Sequence, residues 1–380
     1  MPSTPSTAAA TPPPDRADTT LKEEFALTTA QQDRPGTVTA IQFTQNRDIE
    51  IVDRSYPTIS ADEVVIRSRI VGLCRSDIEL LHGHLDDQLG ITGPVTPGHE
   101  WSGEIVEVGA NVTHLAPGDP VVGECVLAPN TWFGFDYPGA GAQYFRAPAR
   151  LIHKLPESIN FHQGALIEPF TIAYKGIKTA GGCDASDVVV VIGAGMVGLS
   201  ATAIAAANRA TTVIVEPNPH RRELALALGA THTIDPVALS REPQHDIERL
   251  TGSAGGSLVI EASGSSPGLA STFSLAQFGG RVLNIGICTD PHVCAPIGLI
   301  QAKDLTIYGT TGSSEIWPQA LTFLQRHGIQ LDTVISKVYP INEAHDAIAA
   351  ADDPGNVKIH VDMQPAGSQT SVTPPENSGP

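Results

Sequence analysis

Residues 187–216 read DVVVVIGAGMVGLSATAIAAANRATTVIVE, and few folds accommodate that order of side chains. Val188 to Ile192 is a continuous apolar, β-branched run, which suits a strand buried on both faces of a parallel sheet. Gly193, Gly195 and Gly198 follow as G-x-G-x-x-G, Met196 to Ala207 reads as a helix of small apolar residues, and Thr212 to Val215 reads as a second buried strand ending on Glu216. In such a unit Gly193 permits the tight turn, Gly195 lets a pyrophosphate reach the backbone, and Gly198 lets helix and strand pack closely. Met196 and Val197 open the helix, where free N–H groups and the dipole favour an anion. Glu216 falls where a carboxylate would hold a ribose diol. Glycine-rich turns are common. Here strand, glycines, helix, strand and acid follow one another in the order that dinucleotide binding requires, and this reading stands ahead of an ordinary βαβ unit.

The remaining composition narrows the classes. A chain of 380 residues suits two domains better than one, and 41% hydrophobic residues suffice for real cores. A formal net charge of −18 argues against nucleic acid or an anionic membrane surface as partner, because both need basic patches. No apolar run approaches the roughly 20 residues of a membrane span. The N-terminus lacks the charged and apolar regions of a signal peptide. Five scattered cysteines without a C-x-x-C pair predict free thiols in a reducing cytoplasm.

Both ends of the chain are rich in Pro, Ser and Thr and are expected to be disordered. Between them, strand character starts at TVTAIQF from Thr37 and continues through Glu63 to Cys74. The sequence before Ala180 is rich in strands and turns, whereas strands alternate with helices from Asp187 to about Gly309. Further strands are expected in Ser257–Ser266, Gly279–Cys288 and Leu305–Gly309, with a helix over Glu315–Arg326.

Three short segments of the first half carry groups that bind metals: GLCRSD (Cys74, Ser76, Asp77), PGHEWSG (His99, Glu100) and ALIEPF (Glu168). A thiolate, an imidazole and a carboxylate form a plausible zinc shell, with one position open for water or substrate. Taken singly, Cys74 suits a small buried hydrophobe, His99 a hydrogen-bonded turn residue, and Glu168 before Pro169 a helix start. Spacing alone does not establish a site.

Together, these segments resemble the zinc-containing medium-chain dehydrogenases, on the polyol (sorbitol-type) and cyclitol side of that family. The resemblance runs through GLCRSD, PGHEWSGEIVEVGANVTHLAPGDPVV, ALIEP, VVVVIGAGMVGL and RRELALALGATHTID, and on to the Trp317-Pro318 pair of LTIYGTTGSSEIWPQAL. It implies an α/β chain: a β-rich GroES-like catalytic domain and a doubly wound Rossmann domain. The expected division is a tail over 1–36, catalytic domain over 37–167, NAD-binding domain over 168–311, a return to the catalytic domain over 312–363, and a tail over 364–380. It places Cys74 and His99 on zinc-ligand positions, with Glu100 and Glu168 supplying the carboxylate directly or through water. Asp77 falls on the residue that orients the zinc histidine, and Ser76 on the hydroxyl that relays the alcohol proton. The implied cofactors are one catalytic zinc per subunit and NAD. A small alcohol or ketone is the implied substrate, and a homo-oligomer (dimer or tetramer) the implied assembly.

Three departures from the family pattern matter. The stretch from Gly118 to Gly141 holds only Cys125, where most zinc members gather four cysteines around a structural zinc, so that second zinc is expected to be absent. Glu79 stands where many members continue the proton relay with a histidine; His82 and His84 follow, either as substitutes in that relay or, the favoured reading, on a solvated loop. Gly312 stands where sorbitol-type members use an arginine on the substrate. Arg221 and Arg222 lie near the ribose position, where an arginine can bind a 2′-phosphate, but the resemblance assigns them to the next helix and leaves NAD the expected cofactor. The segment NTWFGFDYPGAGAQYF offers Trp132, Phe133, Phe135, Asp136 and Tyr137 either as a floor for a hydroxylated ring or as core beneath the shortened lobe. The expected substrate is a secondary alcohol of a polyol, cyclitol or sugar. A threonine-type amino alcohol is the alternative. So are a zinc-free reductase of the superfamily and a non-enzymatic nucleotide-binding member.

Overall fold

The computed structural model describes residues 34–364, apart from 92, 239–242 and 291; nearly all of both expected tails lies outside the described residues. The elements that build the first half and matter for the site begin at Thr37. They are β1 (Thr37–Phe43), β2 (Ile49–Ser55), β3 (Glu63–Leu73), α1 (Arg75–Leu81), β4 (Glu100–Val108), β5 (Pro120–Gly123), β6 (Val126–Ala128), β7 (Thr131–Trp132) and β8 (Tyr144–Pro148). After β9 (Ile152–Lys154) comes α2 (Ile167–Thr179), which carries Glu168.

The second half opens with β10 (Val188–Ile192), α3 (Met196–Ala207) and β11 (Thr211–Val215). Val189, Val190 and Val191 are fully buried, as a strand covered on both faces requires. Then come α4 (Pro219–Ala227), β12 (His232–Ile234), β13 (Gly256–Glu261), β14 (Ala276–Asn284) and β15 (Thr306–Gly309). These six strands form one all-parallel sheet in the order β12-β11-β10-β13-β14-β15. That is the doubly wound order, in which the chain reverses direction beside β10 and opens a crevice at the strand ends. Strand β14 starts three residues earlier than the apolar pattern suggested, because Ala276 pairs with Gly256 across an irregular register.

The last elements are α5 (Trp317–His327), β16 (Ile335–Pro340), α6 (Ala344–Asp352) and β17 (Lys358–Asp362). The strands return to the first half, where the sheet runs β16-β17-β3-β4-β5-β9, with β8 also on β3. The result is a GroES-like β-rich unit joined to a Rossmann-type sheet. One apolar core lies within the β-rich unit, around Ile66, Trp101, Phe133 and Phe145. Two others cover the faces of the parallel sheet.

Candidate active site and metal centre

The pairing of three strands assembles the site. Gly72 near the end of β3 faces Glu100 at the start of β4, and Leu73 faces Ile359 of β17. Cys74 just after β3, His99 just before β4, and Lys358 at the head of β17 therefore meet at one end of these adjacent strands. Ligand atoms of Cys74, His99 and Glu100 all lie within 4.8 Å of one another. Asp77, on the first turn of α1, accepts from the Cys74 backbone N–H at 2.9 Å through Oδ2. Its Oδ1 lies 3.5 Å from His99 Nδ1, while Ser76 Oγ lies 3.4 Å from His99 Nε2. The imidazole thus has its acid partner on one nitrogen and faces the hydroxyl with the other.

His99, Glu100 and Asp77 are buried; His99 Nδ1 and Asp77 Oδ1 face each other at 3.5 Å, and among the described residues Glu100 Oε1 has no hydrogen-bond partner. Unpartnered buried polar atoms are costly. A cation held by the thiol, the imidazole and the free Glu100 oxygen would give that oxygen its missing partner, so these residues fit a zinc ion with an S, N, O donor set. Burial works against charge on His99, but the Asp77 carboxylate and the Cys74 contact outweigh it and hold the imidazole well above its ordinary pKa.

The two carboxylates expected at the metal have different surroundings. Glu100 Oε2 accepts from Lys358 Nζ at 2.5 Å, and that ammonium also donates to Leu73 O at 3.0 Å. Burial disfavours charge on Lys358, yet Glu100 outweighs it and raises the lysine pKa. Glu168 stands outside the mutually close trio and accepts from Cys125 Sγ at 3.4 Å. Burial, opposed in part by His99 and reinforced by Glu100, pushes its carboxyl up to about 7. Burial and Glu168 push the Cys125 thiol well above its usual range. Lys358 and Cys125 had no motif to announce them: 258 residues separate Lys358 from its partner.

Glu79 at the relay position pairs with His84 Nδ1 and Arg75 Nε, each at 2.5 Å. The aromatic segment divides. Phe133 is 2% exposed and packs with Trp101 and Phe145 in the core, while Tyr137 is partly buried against it and donates to Glu63. Phe135 is only partly buried, and its ring centroid lies 5.1 Å from that of His99. Asp136 caps its own turn by accepting from the Trp132 N–H. Trp132 lies against Gly312, where a Cβ would come within 3.0 Å of the indole and 2.7 Å of Val126. Trp132 and Val126 thus take the space that a side chain at 312 would need.

At the glycine turn, a Cβ on Gly198 would meet Gly193 O at 2.0 Å, whereas a Cβ on Gly195 would meet nothing within 4 Å. The first glycine is needed for packing and the second faces open space, an arrangement that fits an approaching pyrophosphate. Met196 and Val197 open α3 beside it. Glu216 is 5% exposed; Oε2 accepts from the Ala194 N–H at 2.8 Å and Oε1 from the Asn218 N–H at 2.9 Å. Arg221 donates to Asn356 O, and Arg222 donates to the Glu216 and Pro217 carbonyls.

Known proteins match this architecture. The family pattern described as zinc-binding dehydrogenase matches residues 196–326, and that of the alcohol dehydrogenase GroES-like domain matches residues 60–157. A 2-dehydro-3-deoxy-L-galactonate 5-dehydrogenase from Pseudoalteromonas atlantica is 30% identical over 85% of this chain and 98% of its own. An L-threonine 3-dehydrogenase from Bacillus licheniformis is 32% identical over 76% and 87%. A sorbitol dehydrogenase from Gallus gallus is 29% identical over 84% and 94%. A protein from Sinorhizobium meliloti 1021, solved with NADP bound, superposes with a TM-score of 0.78 at 26% identity, covering 86% of this chain and 100% of that one.

Proposed function

The chain belongs to the zinc-binding medium-chain dehydrogenases, on their polyol side, and from that premise we propose that it oxidises a secondary alcohol of a cyclitol, sugar or related polyol with NAD. As a member of that group it is an oxidoreductase acting on alcohols. The observation that carries the finer reading is the convergence of Cys74, His99 and Glu100 within 4.8 Å, with Ser76 Oγ against His99 Nε2.

Cys74, His99 and a carboxylate would hold one zinc, which when bound supplies a Lewis acid that lowers the pKa of a substrate hydroxyl. Asp77 orients His99 through Nδ1. Lys358 neutralises Glu100 through Oε2 and leaves Oε1 without a hydrogen bond. Ser76 Oγ would accept the hydroxyl proton and pass it outward. Glu168, with a pKa near 7, can take or release a proton beside the cluster near neutral pH. Gly193, Gly195 and Gly198, with the Met196 and Val197 end of α3, would seat the dinucleotide so that its nicotinamide reaches the carbinol carbon.

Glu216 supports NAD, since a carboxylate there repels a 2′-phosphate, and Arg221 and Arg222 are engaged with backbone carbonyls. Phe135 and Trp132 suit the C–H face of a hydroxylated ring, and the Trp132–Gly312 packing argues against a sorbitol pose that needs an arginine. The same reading includes a homo-oligomer, dimer or tetramer; the edge position of β15, with Ile307 39% exposed, supports it. Five free cysteines and net charge −18 support a cytoplasmic protein with no nucleic-acid or membrane partner. Among the described residues no helix is long and apolar enough to cross a membrane.

An oxidation screen over cyclitols, sugars, polyols, simple alcohols and threonine, run with NAD and NADP, tests the proposal. Turnover of a cyclitol or sugar with NAD is expected. Efficient oxidation of primary alcohols or threonine, with no activity on any cyclitol or sugar, would sink the substrate class. A clear NADP preference would refute the role of Glu216.

A further inference from the structure

A second group of metal-binding side chains lies apart from Cys74, His99 and Glu100. Ligand atoms of Glu79, His82 and His84 are mutually within 4.8 Å at the end of α1. Glu79 and His82 are three residues apart on one helical face. Gly83, at φ +77, then turns the chain back, and the His84 N–H donates to Glu79 O at 2.9 Å. That reversal, open to glycine and few other residues, folds the second imidazole onto the carboxylate of the preceding turn.

Side chains around the trio hold it in place. Arg75 Nε donates to Glu79 Oε1 at 2.5 Å, and its Nη1 donates to Asp352 Oδ1 at 3.0 Å on α6. Asp352 Oδ2 lies 3.4 Å from His82 Nε2. A carboxylate beside Nε2 favours a proton on that nitrogen and so favours Nδ1 as the ligand atom of His82. The Glu79 side chain is 9% exposed, while those of His82 and His84 are 39% and 54% exposed, so an ion has an anchored floor and an open mouth. Two carboxylates against one guanidinium leave a net negative charge when both histidines are neutral.

We propose that Glu79, His82 and His84 form a second, surface site for a divalent first-row transition ion such as zinc, cobalt or nickel. Two imidazoles and one carboxylate select these borderline ions over calcium and magnesium, which take oxygen shells. The ion would replace the proton shared by His84 and Glu79. Because Arg75 keeps hold of one Glu79 oxygen, the site binds more weakly than the buried thiolate-containing cluster and exchanges with solvent. An ion here would also fasten the end of α1, the helix that starts with Ser76 and Asp77, beside Asp352 of α6. The proposal does not depend on the catalytic reading.

Equilibrium dialysis of the full chain, stripped with a chelator and reloaded with excess zinc or cobalt, tests it. The unmodified chain is expected to take up two ions, His82→Gln/His84→Gln one, Cys74→Ser one, and the combined variant none. Cobalt separates the sites: only the one lost with Cys74 shows a thiolate-to-cobalt charge-transfer band. Matching melting curves of stripped wild type and His82→Gln/His84→Gln establish that the loss is of ligands and not of fold. Equal ion uptake and affinity in wild type and His82→Gln/His84→Gln would overturn the proposal, as would a folded Cys74→Ser chain that binds no ion. If Cys74→Ser keeps the wild-type stoichiometry while the histidine variant loses one ion, the surface site stands and the catalytic assignment of Cys74 fails.

Discussion

Replacing Lys358 with Met is expected to expose how strongly the site depends on one buried cation. Met fills nearly the same volume, so the change removes charge more than packing. The Lys358 and Glu100 side chains are 3% and 1% exposed, and Asp77 and Glu168 are buried nearby. Breaking a buried pair by deleting one partner costs about 3–5 kcal/mol. Protonation of the stranded carboxyl sets a ceiling. For an ordinary glutamate of pKa about 4.3, taking up a proton at pH 7 costs about 3.7 kcal/mol at about 1.4 kcal/mol per pH unit. Lys358→Met should therefore lose about 3–4 kcal/mol at pH 7 and only about 1 kcal/mol at pH 5. The sign follows from linkage: the variant's Glu100 binds a proton in the folded state that the unfolded chain has released, so the deficit grows as pH rises above the unfolded pKa. Glu100→Gln/Lys358→Met, with no stranded charge, should recover most of the loss. Urea unfolding of the metal-stripped protein, followed through the emission of buried Trp101, measures all three. A loss below about 1 kcal/mol at pH 7, a loss that does not shrink at pH 5, or a double variant no better than the single one would refute the reasoning.

Gly198→Ala should weaken NADH binding at least about tenfold, since the new methyl would press on Gly193 O at 2.0 Å and move α3 off the turn; an unchanged dissociation constant in a fluorescence titration would count against it. Cys74→Ser should lose the one tightly held zinc per chain, measured after a mild chelator has cleared the exposed histidines, and full metal with full activity would overturn the ligand assignment. Buried His360 faces His162 across 3.2 Å, and burial, with His162 and Lys358, pushes its pKa well below normal. The unfolded imidazole takes a proton below about pH 6.5 that the folded one refuses, so stability present above that pH is lost as pH falls, by up to about 1.4 kcal/mol per unit. Urea midpoints between pH 7.5 and 5.5 should fall less steeply in His360→Gln than in wild type; identical slopes would remove His360 from the explanation.

The βαβ unit was legible in the residues because everything it needs is local. The helix spans Met196–Ala207 as read, and the second strand gains only Thr211. Gly193, Gly195 and Gly198 have distinct local duties that the structure separates by what a Cβ would meet. Cys74, Ser76 and Asp77 were likewise visible as a short motif, since α1 itself brings Asp77 back to the Cys74 N–H. The pairing of β3 with β4 and β17 lay beyond such reading, because strand register depends on partners far along the chain. That register decided that Glu100 joins Cys74 and His99, whereas Glu168, carried on α2, turns to Cys125. It also placed Lys358 on Glu100, a lysine that no nearby residue marks. The aromatic segment shows the same division. Its composition suited core or substrate floor equally, and only packing sent Phe133 inward against Trp101 and left Phe135 over His99. Local backbone chemistry set the elements; the charges buried between distant strands, which must find partners or metal when water is excluded, set the site.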